Sequence, residues 1–199
     1  MNGLLAVVIA YLIGGIPFGY VLVRLTTGKD VRASGSGNIG ATNVLRTTGR
    51  AAGVATLLLD VAKGYFAVML AAKMTDDDQL WMSLAALAVM FGHAFPVFLK
   101  FQGGKAVASF IGAFLYLTPL PLVAVLLLFV ITVAATMAIS AGSILMAGMF
   151  PLGVWLILHP PAPVFIASLI AGAFIVYRHK ANIERLRAGT ENRFSWKKK

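Results

Sequence analysis

Residues 3–23 read GLLAVVIAYLIGGIPFGYVLV, a run with no charged side chain. About 20 helical residues cross a bilayer, so this stretch is long enough to span one. A cleaved signal peptide would begin with a basic segment. None precedes this run, and Gly14-Gly15-Ile16-Pro17 interrupts it in the manner of a packed transmembrane helix. Positive charge follows at Arg24, Lys29 and Arg32, which places the N-terminus outside and the first loop in the cytoplasm.

Composition extends that reading to the whole chain. Of 199 residues, 59% are hydrophobic and 12% charged, and the mean hydropathy is +0.87. These values belong to polytopic membrane proteins and leave few residues for a separate soluble domain. Cysteine is absent, which excludes disulfides and thiolate metal sites. The net charge of +10 is concentrated in three places. Arg24, Lys29, Arg32, Arg46 and Arg50 flank the first polar loop; Lys100 and Lys105 sit in the second. Arg178, Lys180, Arg185, Arg187, Arg193 and the terminal lysines crowd the C-terminus. The acidic cluster Asp76-Asp77-Asp78 lies in a different loop.

Further apolar blocks cover 53–72, 80–99, 106–117, 122–139, 144–158 and 164–177. The chain is therefore expected to be all-α: a polytopic integral membrane bundle of seven transmembrane helices forming one domain over 1–199. Its N-terminus would lie outside and its C-terminus in the cytoplasm, with every basic loop on the cytoplasmic side. A six-span alternative makes the short 106–117 block re-entrant, but it puts the basic tail outside.

This topology places four polar segments on one face. The first, Ser34 to Arg46, reads SGSGNIGATNVLR. Gly35, Gly37 and Gly40 allow close backbone approach and positive φ, Ser34, Ser36, Asn38, Thr42 and Asn43 add short polar groups, and Arg46 adds a cation. That is the chemistry of an anion cradle; a flexible Gly/Ser linker would not need two asparagines, a threonine and an arginine so close together. The second segment ends in Gly103-Gly104-Lys105, expected to open a helix with free backbone donors and an ammonium at its N-terminus. The motif is short, lacks nucleotide-loop spacing, and reads equally as a glycine turn with a snorkelling lysine.

Asp60 and Lys63 lie three apart within the second span, so an intrahelical ion pair is the economical account. His93, within the third span, reads as a hydrogen-bonded packing residue. Ser140 and Ser143 stand one turn apart at an inner helix end with no readable triad, which favours hydrogen bonding over nucleophilic catalysis. The fourth segment, Arg178 to Arg193, is expected to extend the last span as a helix with His179, Asn182 and Arg185 on one face. Arg187, Arg193 and the terminal lysines read as anchors for anionic lipid. For His179 and Asn182, anchoring and ligand binding both stay open on the residues alone.

Taken together, these segments resemble the bacterial acyl-phosphate-dependent glycerol-3-phosphate acyltransferases. The matching pieces are Gly35 to Asn43 with Arg46, Asp60 with Lys63-Gly64, Gly92-His93 with Pro96, Gly103-Gly104-Lys105, and Arg178-His179 with Asn182 to Arg185. The resemblance implies transfer of an acyl chain from acyl phosphate to the sn-1 hydroxyl of glycerol 3-phosphate. The products would be lysophosphatidic acid and phosphate, the first step of phospholipid synthesis, made at the cytoplasmic face of the bacterial inner membrane. Ser36, Arg46, Lys105, His179 and Asn182 would bind phosphate. Gly37, Asn38, Thr42, Asn43, Gly103, Gly104 and Ser143 would shape or line the site, and Asp60, Lys63 and His93 would support it. Gln102 and Ala106 depart from the family, which more often has lysine and glycine there; Ala106 is expected to stiffen the helix start.

No metal and no cofactor are implied. The partners are acyl phosphate, glycerol 3-phosphate and membrane lipid, with functional coupling to a soluble enzyme that makes acyl phosphate; no nucleic acid is expected. No catalytic residue is assigned. Some acyltransferases place an aspartate five positions after a histidine, where this chain has Phe98, Val164 and Glu184. His179 is the base candidate to test, against substrate-assisted catalysis without a covalent acyl-enzyme. The competing classes are a transporter of a phosphorylated solute and a non-catalytic membrane scaffold.

Overall fold

A computed structural model describes residues 2–193, and the described residues are helical apart from turns and loops. The chain divides into two compact units, one running to Leu117 and one beginning at Thr118.

In the first unit the opening span is two helices, α1 (Asn2–Gly15) and α2 (Phe18–Thr27). Proline lacks an N–H and pushes the residue before it out of the helical region, so the break falls at Ile16-Pro17. A short helix α3 (Ala41–Thr47) then leads into α4 (Arg50–Met74). Asp78 caps α5 (Gln79–Ala94) by accepting from the amides of Leu80 at 2.8 Å and Trp81 at 3.2 Å. The last helix of this unit is α6 (Val107–Leu117).

Two close helix pairs hold this unit together. A methyl on Gly14 would strike the Val89 carbonyl, and one on Gly92 the Tyr11 carbonyl, so α1 and α5 meet backbone to backbone. Gly64 and Gly112 do the same for α4 and α6, against the carbonyls of Ser109 and Val61. Small residues let membrane helices gain dispersion contact where lipid supplies no hydrophobic drive. Phe110 and Phe114, both fully buried, fill the space beside these contacts with ring centroids 5.0 Å apart.

The second unit packs α7 (Pro119–Thr136) on α8 (Ile139–Leu158), and α8 on α9 (Ala162–Arg178). Its buried side chains include Leu122, Met146, Phe150 and Ile175. A final helix, α10 (Lys180–Arg187), is bent 57° from α9.

Among the described residues, five helices are long and apolar enough to cross a membrane, and six when α9 and α10 are taken as one bent span. The block expected to be the fourth span is α6, only 11 residues long. At 1.5 Å per residue it reaches about 16 Å, roughly half the hydrocarbon thickness. Leu57, Leu58 and Phe66 on α4, and Leu127, Val130 and Ile131 on α7, are exposed. Apolar outward faces of this kind belong against lipid tails.

Candidate functional site

The Ser34–Arg46 segment is a loop that runs into α3 at Ala41, built over a small apolar floor of Val23, Val31, Ile39, Val44 and Leu99. Asn43 is its organiser. Buried to 2% exposure, its Oδ1 accepts the Ser36 amide at 2.9 Å. Its Nδ2 donates to the carbonyls of Asn38 at 2.8 Å, Ser34 at 3.1 Å and Val31 at 3.2 Å. This side chain is committed to the backbone around it, so its part in any site is to shape the loop. Gly35 (φ +62°) and Gly37 (φ +70°) turn through the left-handed region. Asn38 Oδ1 accepts the Gly40 amide at 2.8 Å.

Two arginines near this loop differ in availability. Arg32 is clamped to Asp30 by Nε at 3.0 Å and Nη2 at 2.7 Å, and its guanidinium lies 5.1 Å from the centre of the Tyr20 ring. Hydrogen bonds and charge from Arg32 hold the Asp30 carboxyl below its ordinary value. Arg46 is exposed and has no hydrogen-bond or charge partner among the described residues. Ser36 is exposed beside it in the sequence segment, and Thr42 is half-buried.

Gly103 and Gly104 do not open a helix with free donors, the arrangement expected of their sequence. Helix α6 starts at Val107. The Gly103 amide donates to the Ala94 carbonyl at 3.2 Å and the Gly104 amide to the His93 carbonyl at 3.1 Å. These are carbonyls that the end of α5 leaves without helical partners, and the loop satisfies them. Lys105 follows, half-buried and partnered within the protein. Ala106 does not stiffen the helix start as expected. It stands just before α6 at φ +62°, fully buried, in a conformation that costs an L-residue energy.

Beneath this loop lies a buried charged cluster. Lys63 Nζ meets Asp60 Oδ1 at 2.8 Å, one turn away on α4. His93 stands at the C-terminal end of α5, within the candidate span Gln79–Leu99 as its sequence position indicates. Its Nδ1 lies 3.6 Å from the same Asp60 oxygen.

In the second unit Ser140 and Ser143 lie one turn apart at the start of α8, the helix end expected of them. Ser143 is buried and its hydroxyl donates to the Ile139 carbonyl at 3.0 Å. The expected straight extension of the last span does not form: α9 ends at Arg178 and the chain turns at His179. His179 is buried, with Nδ1 2.8 Å from the Ile175 carbonyl. A carbonyl can only accept, so Nδ1 carries the proton and Nε2 is the basic nitrogen of the neutral ring.

Sequence reasoning missed Glu191, yet it gathers this region. Its Oε1 accepts from Asn182 Nδ2 at 2.6 Å and from Ser140 Oγ at 2.8 Å, and its Oε2 from Arg185 Nε at 2.7 Å. Burial pushes this carboxyl up, but the three hydrogen bonds and the Arg185 charge outweigh it, holding it below its ordinary value of 4.5. The signal that could have found it is an acid set in a basic tail. Glu184, five residues after His179, is exposed. Arg187 is exposed, and it lines an apolar groove of about 620 Å³ with Ile144, Leu145, Met149 and Val176. Arg193 is exposed, and the terminal lysines lie outside the described residues.

Apolar-faced helices carrying ordered polar loops with exposed cations define a multi-pass membrane protein. The family model for glycerol-3-phosphate acyltransferase matches residues 4–189. A Geobacter sulfurreducens protein named glycerol-3-phosphate acyltransferase is 46% identical over 194 residues, covering 98% of each chain. One of the same name from Clostridioides difficile is 40% identical over 195 residues, covering 96% of this chain and 95% of the other. The fold matches the crystal structure of PlsY (YgiH), an integral membrane glycerol 3-phosphate acyltransferase, in its glycerol 3-phosphate form. That match has a TM-score of 0.93 and 36% identity, covering 98% of this chain and 96% of the other. The lysophosphatidic acid form gives 0.90 and 34%, with the same coverage. The chain belongs to the glycerol-3-phosphate acyltransferase family.

Proposed function

We propose that this protein acylates the sn-1 hydroxyl of glycerol 3-phosphate with acyl phosphate as donor, releasing 1-acyl-glycerol 3-phosphate and inorganic phosphate. One observation carries the reading: Asn43 spends its side chain on ordering the first polar loop, while Arg46, in the last turn of α3 beside it, stays exposed and unpartnered among the described residues. An ordered cradle with an uncommitted cation suits a phosphate ester, and family membership supports glycerol 3-phosphate as that ester. In the first unit Ser36, Arg46 and Lys105 are the phosphate-binding residues of this proposal; in the second they are His179 and Asn182. Gly37, Asn38, Thr42, Asn43, Gly103, Gly104 and Ser143 shape or line the binding regions. The groove lined by Ile144, Leu145, Met149 and Val176 is a fitting berth for the acyl chain.

The chemistry needs no covalent intermediate, because acyl phosphate is already activated. The sn-1 oxygen attacks the acyl carbon, the carbon–oxygen bond to phosphate breaks, and a phosphate oxygen of the donor takes the hydroxyl proton. Fixed cations and amides offset the repulsion between two anions and the charge that develops on the carbonyl oxygen. The protein then works as one acyltransferase domain; the family match from 4 to 189 runs through both compact units. Counting α6 as the fourth crossing gives seven spans in the bacterial cytoplasmic membrane. The N-terminus lies outside, and the polar loops and the C-terminus face the cytoplasm, where a soluble enzyme supplies acyl phosphate.

The test is purified protein with acyl phosphate and labelled glycerol 3-phosphate. Lysophosphatidic acid and one equivalent of phosphate are expected; no acylation would overturn the reading, and uptake into liposomes without acylation would indicate a transporter. His179→Gln then separates the roles of that ring. A raised KM for glycerol 3-phosphate with near-normal kcat is the result expected of a binding residue, whereas collapse of kcat alone would make it the base.

A further inference from the structure

Three ionisable side chains within the membrane-spanning helices of the first unit take no part in the chemistry above. Asp60 is 1% exposed, Lys63 4% and His93 4%. Charged groups in such surroundings are costly and persist where they are paired and serve a purpose. Their contacts point in two directions. Lys63 Nζ, besides Asp60, donates to the Ile16 carbonyl at 2.8 Å and lies 5.6 Å from the centre of the Phe18 ring. Ile16 is the residue at which the first span breaks, and Phe18 opens α2. The ammonium therefore sits on a carbonyl at the break in the first span, one that also accepts the Phe18 amide at 3.2 Å.

His93 reaches the other way. Its Nδ1 faces Asp60, and its Nε2 lies against Gly104 so closely that a methyl on Gly104 would collide with it. Its carbonyl takes the Gly104 amide at 3.1 Å. The imidazole is held between the Asp60 carboxylate and the backbone immediately before Lys105.

We propose that Asp60, Lys63 and His93 form a buried brace that fixes the Gly103–Lys105 loop against the break in the first span and so sets where the Lys105 ammonium stands. They are positioning residues, acting through Lys105, and the proposal rests on Lys105 binding substrate phosphate.

The experiment is a double-mutant cycle on the full chain in detergent, reading KM for glycerol 3-phosphate and kcat separately. His93→Gln is expected to raise KM about tenfold or more, with kcat within about threefold and an unchanged melting temperature. Combined with Lys105→Ala it should add less than about twofold, because both act on one contact. Lys63→Arg, which keeps the charge and a donor for Ile16, should retain KM where Lys63→Met does not. Independent, multiplicative effects of His93→Gln and Lys105→Ala would overturn the brace. If Lys105→Ala alone leaves KM unchanged, it is the substrate role of Lys105 that fails. Hydrogen exchange on the unaltered protein then decides the brace by itself. Gly103 and Gly104 amides protected like the interior of α5 support it, and exchange at open-loop rates overturns it.

Discussion

Asn43 holds Ser36 across seven residues, its Oδ1 accepting the Ser36 amide at 2.9 Å. The same side chain closes the loop on three carbonyls, one of which, that of Val31, is reached in a fully buried bond. Removing it strands polar backbone under the loop, and an unsatisfied buried group costs about 1–3 kcal/mol. Asn43→Ala should lower stability by about 2–3 kcal/mol and activity by more than tenfold. Asn43→Asp should do nearly as badly, since a carboxylate keeps the acceptor and loses every donor. Thermal melting in detergent alongside the acylation assay checks both.

The two left-handed glycines of this loop should not be equivalent. Alanine at either position adds about 1 kcal/mol of backbone strain. At Gly37 (φ +70°) the nearest obstacle is the Arg32 carbonyl at 3.3 Å, whereas at Gly35 a methyl would run into Asn43 Oδ1. Gly35→Ala should therefore cost activity severely by displacing the loop's organiser, with Gly37→Ala milder. Equal losses would mean that Asn43 is not what orders the loop.

Arg46 and Arg32 offer a contrast between a cation left available and one already committed. Arg46 is exposed without a described partner, so Arg46→Ala should leave stability within about 0.5 kcal/mol. It should nonetheless reduce kcat/KM by about a hundredfold or more, the loss of a charge-assisted grip on phosphate. Arg32 is occupied by Asp30 and Tyr20. Arg32→Ala should cost at most about 1 kcal/mol of stability, as for exposed ion pairs, with KM for glycerol 3-phosphate unchanged.

The Glu191 hub makes acid stability a readout. Its carboxyl is held below the ordinary value, so its contribution is fully present above about 4.5 and is lost as pH falls through the folded-state value. Melting temperature should be flat in this respect from neutral pH to about 5 and fall in more acid solution. Glu191→Gln should remove that acid step and cost about 1–2 kcal/mol at pH 7, since charge-assisted bonds are replaced by neutral ones and one amide edge meets Arg185. An unchanged acid profile in Glu191→Gln would assign the step to another carboxyl.

Much of this architecture is written locally and is legible in the order of residues alone. Uninterrupted apolar runs define the long helices, because a bilayer tolerates only backbone that satisfies itself. Pro17 locates the break in the first span, and the spacing of Asp60 and Lys63 places both on one side of α4, where they pair. The Ser34–Arg46 composition marks the cradle by the same local logic. The 11-residue length of α6, the 57° bend at His179 and the start of α8 ahead of Ser140 depend on packing and capping that a hydropathy run does not encode.

What only the tertiary structure decided is which polar groups are already spent. The sequence shows Gly103-Gly104 as donors, but the end of α5 takes their amides. It shows Asn43 as one more polar residue, and the loop consumes all of its amide. Lys63 reaches a carbonyl 47 positions away, and Glu191 reaches Ser140 51 positions away. Periodicity and composition determine helices because those depend on neighbours within a turn. Whether a cation or amide remains available for substrate depends on partners that the chain brings together only when it folds.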